Sequence, residues 1–288
     1  MRLRRDGMCR CGTAVPAGER AGWDAAARTI VCPSCLDGPT SPVPVVSVEP
    51  VTPEPAPVVS VEPVTVESGD PGASLLREYA RRSSARDKRV RDKHPRIGGF
   101  LLAVTSEPQS TTAFKTGAEG ERRVAARLEK DAGQAVLFLH NRRLGTGRRD
   151  GDVDHIAVAP SGVFVIDAKR YKDKKVEVRR TGGLFSAAKE QLFIGGRDRT
   201  VLLDSLARQL AAVRAALDLV PGGTDVPVHT VLCFVDALLP MFGTPRIGGI
   251  PLLGPKATAR LVAGAGEYDA AARAALHAHL AERLPPAE

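Results

Sequence analysis

The sequence predicts an α/β protein, a mixed central sheet flanked by helices, preceded by a small cysteine-bearing module. Three observations predict it. Helical and strand-like periodicities alternate from about residue 117 onward. Four of the five cysteines crowd into the first 35 residues, and a proline-rich stretch follows them. The chain has 288 residues and is 43% hydrophobic, enough for one large or two small domains and unlike a fibrous or wholly disordered composition. No run approaches about 18 apolar residues, and the start MRLRRDGMCR leads into no apolar stretch. The expectation is a cytoplasmic protein without a membrane partner.

Residues 1–38 place Cys9-Arg-Cys11 and Cys32-Pro-Ser-Cys35 as two close pairs. Four thiolates at such spacing suit a structural, tetrahedral Zn2+, because a segment this short has too little core to fold without a staple. Free or redox-active thiols are the alternative. The pattern resembles a zinc ribbon, with C-x-C where C-x-x-C is usual. Modules of this kind bind DNA, RNA or protein, so a protein partner is an expectation here.

Residues 39–73 hold nine of the 22 prolines and no Lys or Arg, and they repeat VVSVEPVT at Val45–Thr52 and Val58–Thr65. Prolines at this density block ladder pairing, which predicts an extended acidic linker. Residues 74–115 form a basic helical arm and connector. Its helix is expected from Ser74 to about Val90, ended by His94-Pro95, with too few apolar residues to build a core. The arm reads as a solvated helix or as a polyanion-binding element.

The main domain is expected over residues 116–288. Val124, Ala125 and Leu128 mark an amphipathic helix over 117–130. Ala135–His140 reads as a short strand, followed by a loop rich in Arg and Gly. DVDHIAVA (152–159) and VFVIDAK (163–169) are β-rich runs joined by Pro160-Ser161-Gly162, a tight-turn signal. Lys175–Arg179 is expected to continue the sheet and Leu184–Ile194 to form a small hairpin. Leu203, Leu206, Leu210, Val213 and Leu217 recur at helical spacing. Val226–Val235 reads as a buried strand, Gly248–Leu253 as a shorter one, and two Ala-rich helices follow.

Strand alternation turns two spacings into a candidate site. Asp154 shares a face with Ile156 and Val158, and Asp167 and Lys169 share a face with Val163 and Val165. A hairpin that aligns these faces gathers two carboxylates and an ammonium on otherwise apolar strands, where charge is costly unless paired or metal-bound. Such a group suits metal-assisted phosphodiester hydrolysis: Mg2+ or Mn2+ on carboxylate oxygens, with Lys169 positioning or deprotonating the attacking water. Glu121, early in the preceding helix, is a further carboxylate. A surface ion pair with a turn-capping Asp154 is the competing explanation.

The motifs GAEGE, GDVDHIAV and GVFVIDAKRY, in this order over Gly117–Arg179, resemble the nuclease-related domain, NERD, a branch of the PD-(D/E)XK, restriction-endonuclease-like superfamily. The resemblance implies that fold and a DNA-cleaving, Mg2+-dependent nuclease, in DNA processing or defence. It implies a metal site of Glu121, Asp154 and Asp167, with Lys169 and the helix-borne Gln209 completing the catalytic set. Asp167 stands where Glu is usual in the family. A catalytically silent nucleic-acid-binding protein, or a scaffold recruited through its zinc module, is the alternative.

Other residues carry weaker expectations. His155 faces away from Asp154 and reads as structural. Asp152 reads as solvent-exposed, and Cys233 as an inert core thiol. The formal charge is +8, and the excess is local: residues 75–115 carry 10 basic against 4 acidic and residues 116–180 carry 15 against 10, while residues 181–288 are neutral. Arg142, Arg143, Arg148 and Arg149, with Arg170, Lys172, Lys174 and Lys175, flank the site and read either as contacts to a nucleic-acid backbone, DNA ahead of RNA, or as ordinary solvated loops.

Overall fold

The computed structural model describes residues 6–9, 12–24, 29–36, 66–145, 151–182 and 189–287. The chain divides into two compact units, Met1–Ser60 and Val61–Glu288. In the first, β1 (Gly7–Met8) pairs antiparallel with β2 (Ala14–Val15), and β3 (Gly22–Asp24) with β4 (Thr29–Val31), before a single helical turn, α1 (Pro33–Leu36). Its core consists of Cys9, Val15, Ala21 and Cys32. The Cys11 position and the VVSVEPVT repeats lie outside the described residues.

The second unit begins along the sheet. The carbonyl of Ser68 accepts a hydrogen bond from the His140 amide at 2.6 Å, and Val66 packs on the core. These residues were expected to belong to the linker; they run beside a strand instead. Helix α2 (Ala73–Lys93) follows, then the short α3 (Gly98–Val104) and α4 (Gln109–Asp131). Helix α4 starts seven residues before Thr116, because α2 supports its first turns: Arg82 lies over the Phe114 ring, 4.5 Å from its centroid, and Glu107 accepts from Tyr79 and Ser83 at 2.7 and 2.6 Å. As its composition implies, α2 buries none of its residues fully.

The central sheet is mixed, as the sequence predicts, and has six strands. Strands β5 (Leu137–Arg143), β6 (Asp152–Ala159) and β7 (Gly162–Arg170) run as an antiparallel meander. Ala159 pairs with Gly162, leaving Pro160-Ser161 as the loop. Gly162 has a φ of 125°, and a side chain there would strike the Pro227 carbonyl, so the turn requires glycine. Strands β8 (Val176–Thr181), β9 (Lys189–Ile194) and β10 (Arg197–Asp198) make a separate three-stranded sheet. The expected continuation of the main sheet at Lys175–Arg179 is thus corrected. Instead Val176, Leu192 and Ile194 turn into the common core.

Helix α5 (Leu202–Leu217) crosses back to β11 (Val228–Val235), which pairs parallel with β7 from Val228–Val163 to Val235–Arg170. Strands β12 (Arg246–Ile247) and β13 (Ile250–Leu253) complete the sheet order β12-β13-β11-β7-β6-β5, and α6 (Pro255–Val262) and α7 (Ala270–Arg283) follow. One face of the sheet buries Ile156, Val158, Val163 and Val165 with Leu206, Val213 and Leu217 of α5 and Leu276 and Leu280 of α7. The other buries Ala157, Phe164 and Ile166 with Val124 and Leu128 of α4 and Val262 of α6. Cys233 lies in this second layer, its thiol pushed up to about 12 by burial.

Strand β5 extends three residues past the expected end, and this corrects the reading of Arg142 as a nucleic-acid contact. Arg142 is 1% exposed. Its Nε donates to the Leu284 carbonyl at 2.5 Å, Nη2 to Ala281 at 2.7 Å and Nη1 to Glu67 at 2.9 Å. Ala281 and Leu284 stand at the C-terminal end of α7, where carbonyls lack helical partners. Arg142→Ala is expected to lower stability by on the order of 3 kcal/mol, read as a shifted urea midpoint, since it orphans buried carbonyls.

His155 is buried away from the Asp154 face and meets His140 across the β5–β6 ladder, Nδ1 to Nδ1 at 2.9 Å. His140 Nε2 lies 3.2 Å from Glu129 Oε1, and His155 Nε2 has no hydrogen-bond partner. An Nε2 proton on His140 donating to Glu129 leaves its Nδ1 as acceptor, so His155 donates through Nδ1 and its bare Nε2 is the orphan. Burial holds both rings below the ordinary histidine value of 6.5. The unfolded rings take up protons below that value and the folded rings do not, so this stabilisation is present above 6.5 and lost as pH falls through it. Urea midpoints measured from pH 8 to pH 5 are expected to fall less in His155→Leu than in the parent protein.

Candidate active site

Strand β7 carries the centre of the site. Its pairing with β6, read one step on from His155–Ile166, sets Asp154 beside Asp167, and the Ala168 amide donates to Asp154 Oδ2 at 2.8 Å. Asp167 is fully buried. Its Oδ1 accepts from Lys169 Nζ at 2.8 Å and from Gln209 Nε2 of α5 at 2.7 Å. Its Oδ2 lies 2.7 Å from the same Nζ, but without hydrogen-bond geometry. Lys169 Nζ is also 3.8 Å from Asp154 Oδ2. Glu121 comes from α4, which approaches β7 closely: a Cβ on Gly120 would sit 3.0 Å from Arg170 Cβ.

These groups line a cleft of about 650 Å3 whose walls include Leu75 of α2, Gln109 and Thr112 of α4, Tyr171 and, from α5, Ser205 and Arg208. Glu121, Asp154, Asp167, Lys169 and Gln209 all reach it. Asp152 reaches it too, where Ser74 Oγ donates to its carboxylate, so it is only partly exposed. Burial raises Glu121 well above the usual carboxylate range, and Asp154 and Asp152 push the same way. Burial also lifts Asp154 to about 7, with Asp167 and Asp152 adding repulsion and Lys169 opposing. Burial disfavours the Lys169 ammonium, but Asp154 and Asp167 outweigh it and hold its pKa above the ordinary lysine value. Lys169 therefore stands in the cleft as a cation.

The donor set fits a hard divalent cation. Its oxygens are carboxylates, which such ions prefer. Asp167 Oδ2 and Gln209 Oε1 are buried acceptors without hydrogen bonds, and a bound cation can take up such oxygen lone pairs. Asp154, Asp167 and Glu121 are the residues that can hold it. Among the described residues they do not bring three ligand atoms within 4.8 Å of one another; only Cys9, Cys32 and Cys35 do so.

The basic residues expected to flank the site divide. Arg148 and Arg149 lie outside the described residues. Arg143 is half-buried at the end of β5, and its amide donates to Pro285. Arg170 is corrected as a backbone contact: it is held by Asp236 at 2.8 Å and Glu119 at 2.5 Å, in a network that also ties Arg123. Lys172, Lys174 and Lys175 are exposed, Lys175 pairing with Glu177 at 2.7 Å. Sequence reasoning missed Arg208. It sits next to Gln209 on α5, is exposed at the cleft, and has no acidic partner among the described residues. Its adjacency to a proposed site residue was the only signal.

The cysteine cluster is a separate centre. Cys9, Cys32 and Cys35 place their sulfurs within 4.8 Å of one another, and the Cys32 amide donates to Cys9 Sγ at 3.1 Å. Zn–S bonds of about 2.3 Å set the sulfurs of a tetrahedron roughly 3.8 Å apart. Three such thiolates can hold zinc.

Residues 116–235 match the family model of the nuclease-related domain, NERD. No curated protein and no solved structure matches the chain. The matched segment holds β5, β6, β7, α5 and most of α4, and so all five residues of the cleft centre.

Cys9→Ser and Cys32→Ser are each expected to lower the zinc content of the purified protein, measured by elemental analysis. Removing two sulfurs from a core of four small residues is expected to unfold the N-terminal unit.

Proposed function

We propose that the nuclease-related domain hydrolyses phosphodiester bonds of nucleic acid with a divalent cation, Mg2+ or Mn2+, held by Glu121, Asp154 and Asp167. One observation carries the reading: a fully buried aspartate, Asp167, gripped by Lys169 and Gln209 in an open cleft, beside two further carboxylates with raised pKa values. Buried like charges are unfavourable for stability alone, and their gathering at a cleft is the mark of a working site. DNA is placed ahead of RNA on the resemblance of the three motifs to restriction-type nucleases.

When bound, the cation acidifies a water, polarises a phosphoryl oxygen and offsets the charge that develops on it. The protein supplies the rest. Gln209 fixes the Asp167 carboxylate through Oδ1, while Oδ2 makes no hydrogen bond and lies 2.7 Å from the Lys169 ammonium. The Ala168 amide fixes Asp154 in the same way. Lys169, as an ammonium, donates to the attacking water or to a phosphoryl oxygen. In this protonation state it positions and stabilises; it can accept a proton only once the two carboxylates beside it are neutralised. Arg208 is placed to hold a phosphate at the mouth of the cleft. In the first unit, Cys11 would complete a structural Zn2+ site with Cys9, Cys32 and Cys35.

A second reading, a silent nucleic-acid-binding protein, is favoured by the contact of Lys169 Nζ with both oxygens of Asp167 within 2.8 Å. Cleavage assays separate the two. Purified protein incubated with linear, circular and single-stranded DNA is expected to cut with Mg2+ or Mn2+ and not with chelator. Asp167→Ala and Lys169→Ala are each expected to reduce cutting by at least about 100-fold with the fold retained. Parent-like cutting in both variants overturns the assignment, and binding without cutting in the parent protein supports the silent reading.

A further inference from the structure

Helix α2 lies outside the segment matched to the nuclease-related domain. It is neither a buried element of the fold nor detached from the cleft. Its first turn is part of the site: Leu75 lines the cleft and Ser74 donates to Asp152. From there the helix runs outward, and from Leu75 to Arg91 it spans about 24 Å. Over Ala73–Lys93 it carries eight basic and three acidic residues. Glu78 is shared by Arg81 and Arg82, and Asp92 pairs with Lys88. These pairs leave a surplus of cations, among them Arg89, Arg91 and Lys93, which are exposed and have no acidic partner among the described residues.

The helix is also rigidly mounted. Tyr79 and Ser83 both donate to Glu107, and Arg86 donates to the Thr105 carbonyl and hydroxyl at 3.1 and 2.8 Å. The side facing α3 and α4 is thereby fixed, and the exposed side presents cations in a constant geometry. A solvated helix needs charge of either sign. A helix with a net excess of five cations, its first turn at the proposed phosphodiester cleft and its far end carrying Arg89, Arg91 and Lys93, fits a ligand that is itself a row of negative charges.

We propose that the exposed face of α2 is a track for the nucleic-acid phosphate backbone, leading the substrate from the cleft along the helix to Arg91 and Lys93. The proposal rests on the nuclease-related reading of the cleft for the identity of its ligand. Base sequence plays no part in it, because contacts to phosphate position a nucleic acid without reading it.

The test uses the full chain carrying Lys88→Gln, Arg89→Gln, Arg91→Gln and Lys93→Gln together, all exposed and all far from the cleft. Binding to single-stranded and duplex DNA of about 30 nucleotides is measured in chelator by fluorescence anisotropy over a salt series, where each lost phosphate contact lowers the salt slope by about 0.7 to 0.9. The expected result is a slope lower by about 3, with weaker binding. In Mg2+, KM for the long DNA is expected to rise while kcat on an oligonucleotide too short to reach Arg89 stays at the parent value. An unchanged slope and affinity overturn the proposal, as does a parent protein that binds no nucleic acid. Because binding is read without metal, a parent protein that binds through α2 and never cuts leaves the proposal standing and removes the hydrolytic function. Vesicles of phosphatidylserine and phosphatidylcholine form a control arm, since Ile97 and Phe100 are exposed nearby at 55% and 69%. Loss of vesicle binding with nucleic-acid binding unchanged assigns the helix to a lipid surface and overturns the track.

Discussion

The burial of Asp167 is the constraint around which the second unit is arranged. A carboxylate with no solvent contact must be matched by donors, and each donor fixes a different element. Lys169 comes from the same strand two residues on, so β7 must alternate without interruption. Gln209 comes from α5, so that helix must lie across the sheet at one rotation. Ala168, between the two charged residues, turns its amide to Asp154 and sets the partner strand. Meanwhile Ile156, Val158, Val163 and Val165, on the same face, continue as packed core. The layer that stabilises the sheet thus ends directly at the layer of charge.

The charge gathered there sets the site against the stability of the unliganded protein. Glu121 and Asp154 both have raised pKa values because burial and neighbouring carboxylates oppose ionisation. Folding holds them close, and Lys169 offsets only part of the repulsion. The α2–α4 pair bears on the same balance from the outer side. It brings Glu121 against β7 through Gly120 and aligns Asp152 through Ser74, so an arm outside the nuclease-related segment shapes the electrostatics within it.

The sheet and the centre of the cleft were largely legible in the sequence, because period-two alternation with charged residues at fixed places is a local pattern. Spacing alone puts Asp167 and Lys169 on one face of their strand, whereas Asp154 joins them only through the hairpin register, and Gln209 is singled out by the family resemblance and not by the period of α5. Arg142 was not legible. An arginine in an NRR stretch before a glycine-rich loop reads as solvated, and its partners are main-chain carbonyls near residues 67 and 284, which leave no trace in side-chain pattern. The early start of α4 was equally hidden, since Ser110, Thr111 and Thr112 have weak helical preference and α2 supplies the support. Strands β8 to β10 misled for a different reason: alternation marks a strand but not the sheet it joins.

Strand β5 stands at the edge of the central sheet, where unpaired amides and carbonyls invite pairing with other chains. Here the edge is closed from both ends of the unit. Ser68 takes the His140 amide, Pro285 and Ala287 bond with Arg143 and Asn141, and the Arg142 guanidinium bridges Glu67 to the end of α7. Residues 66–68 and 284–287 therefore meet along one strand. Tied in this way, the two segments cover the edge of β5 in place of a further strand. Releasing either segment would bare a sheet edge as well as loosen the core, so aggregation rather than simple unfolding is the failure this arrangement guards against.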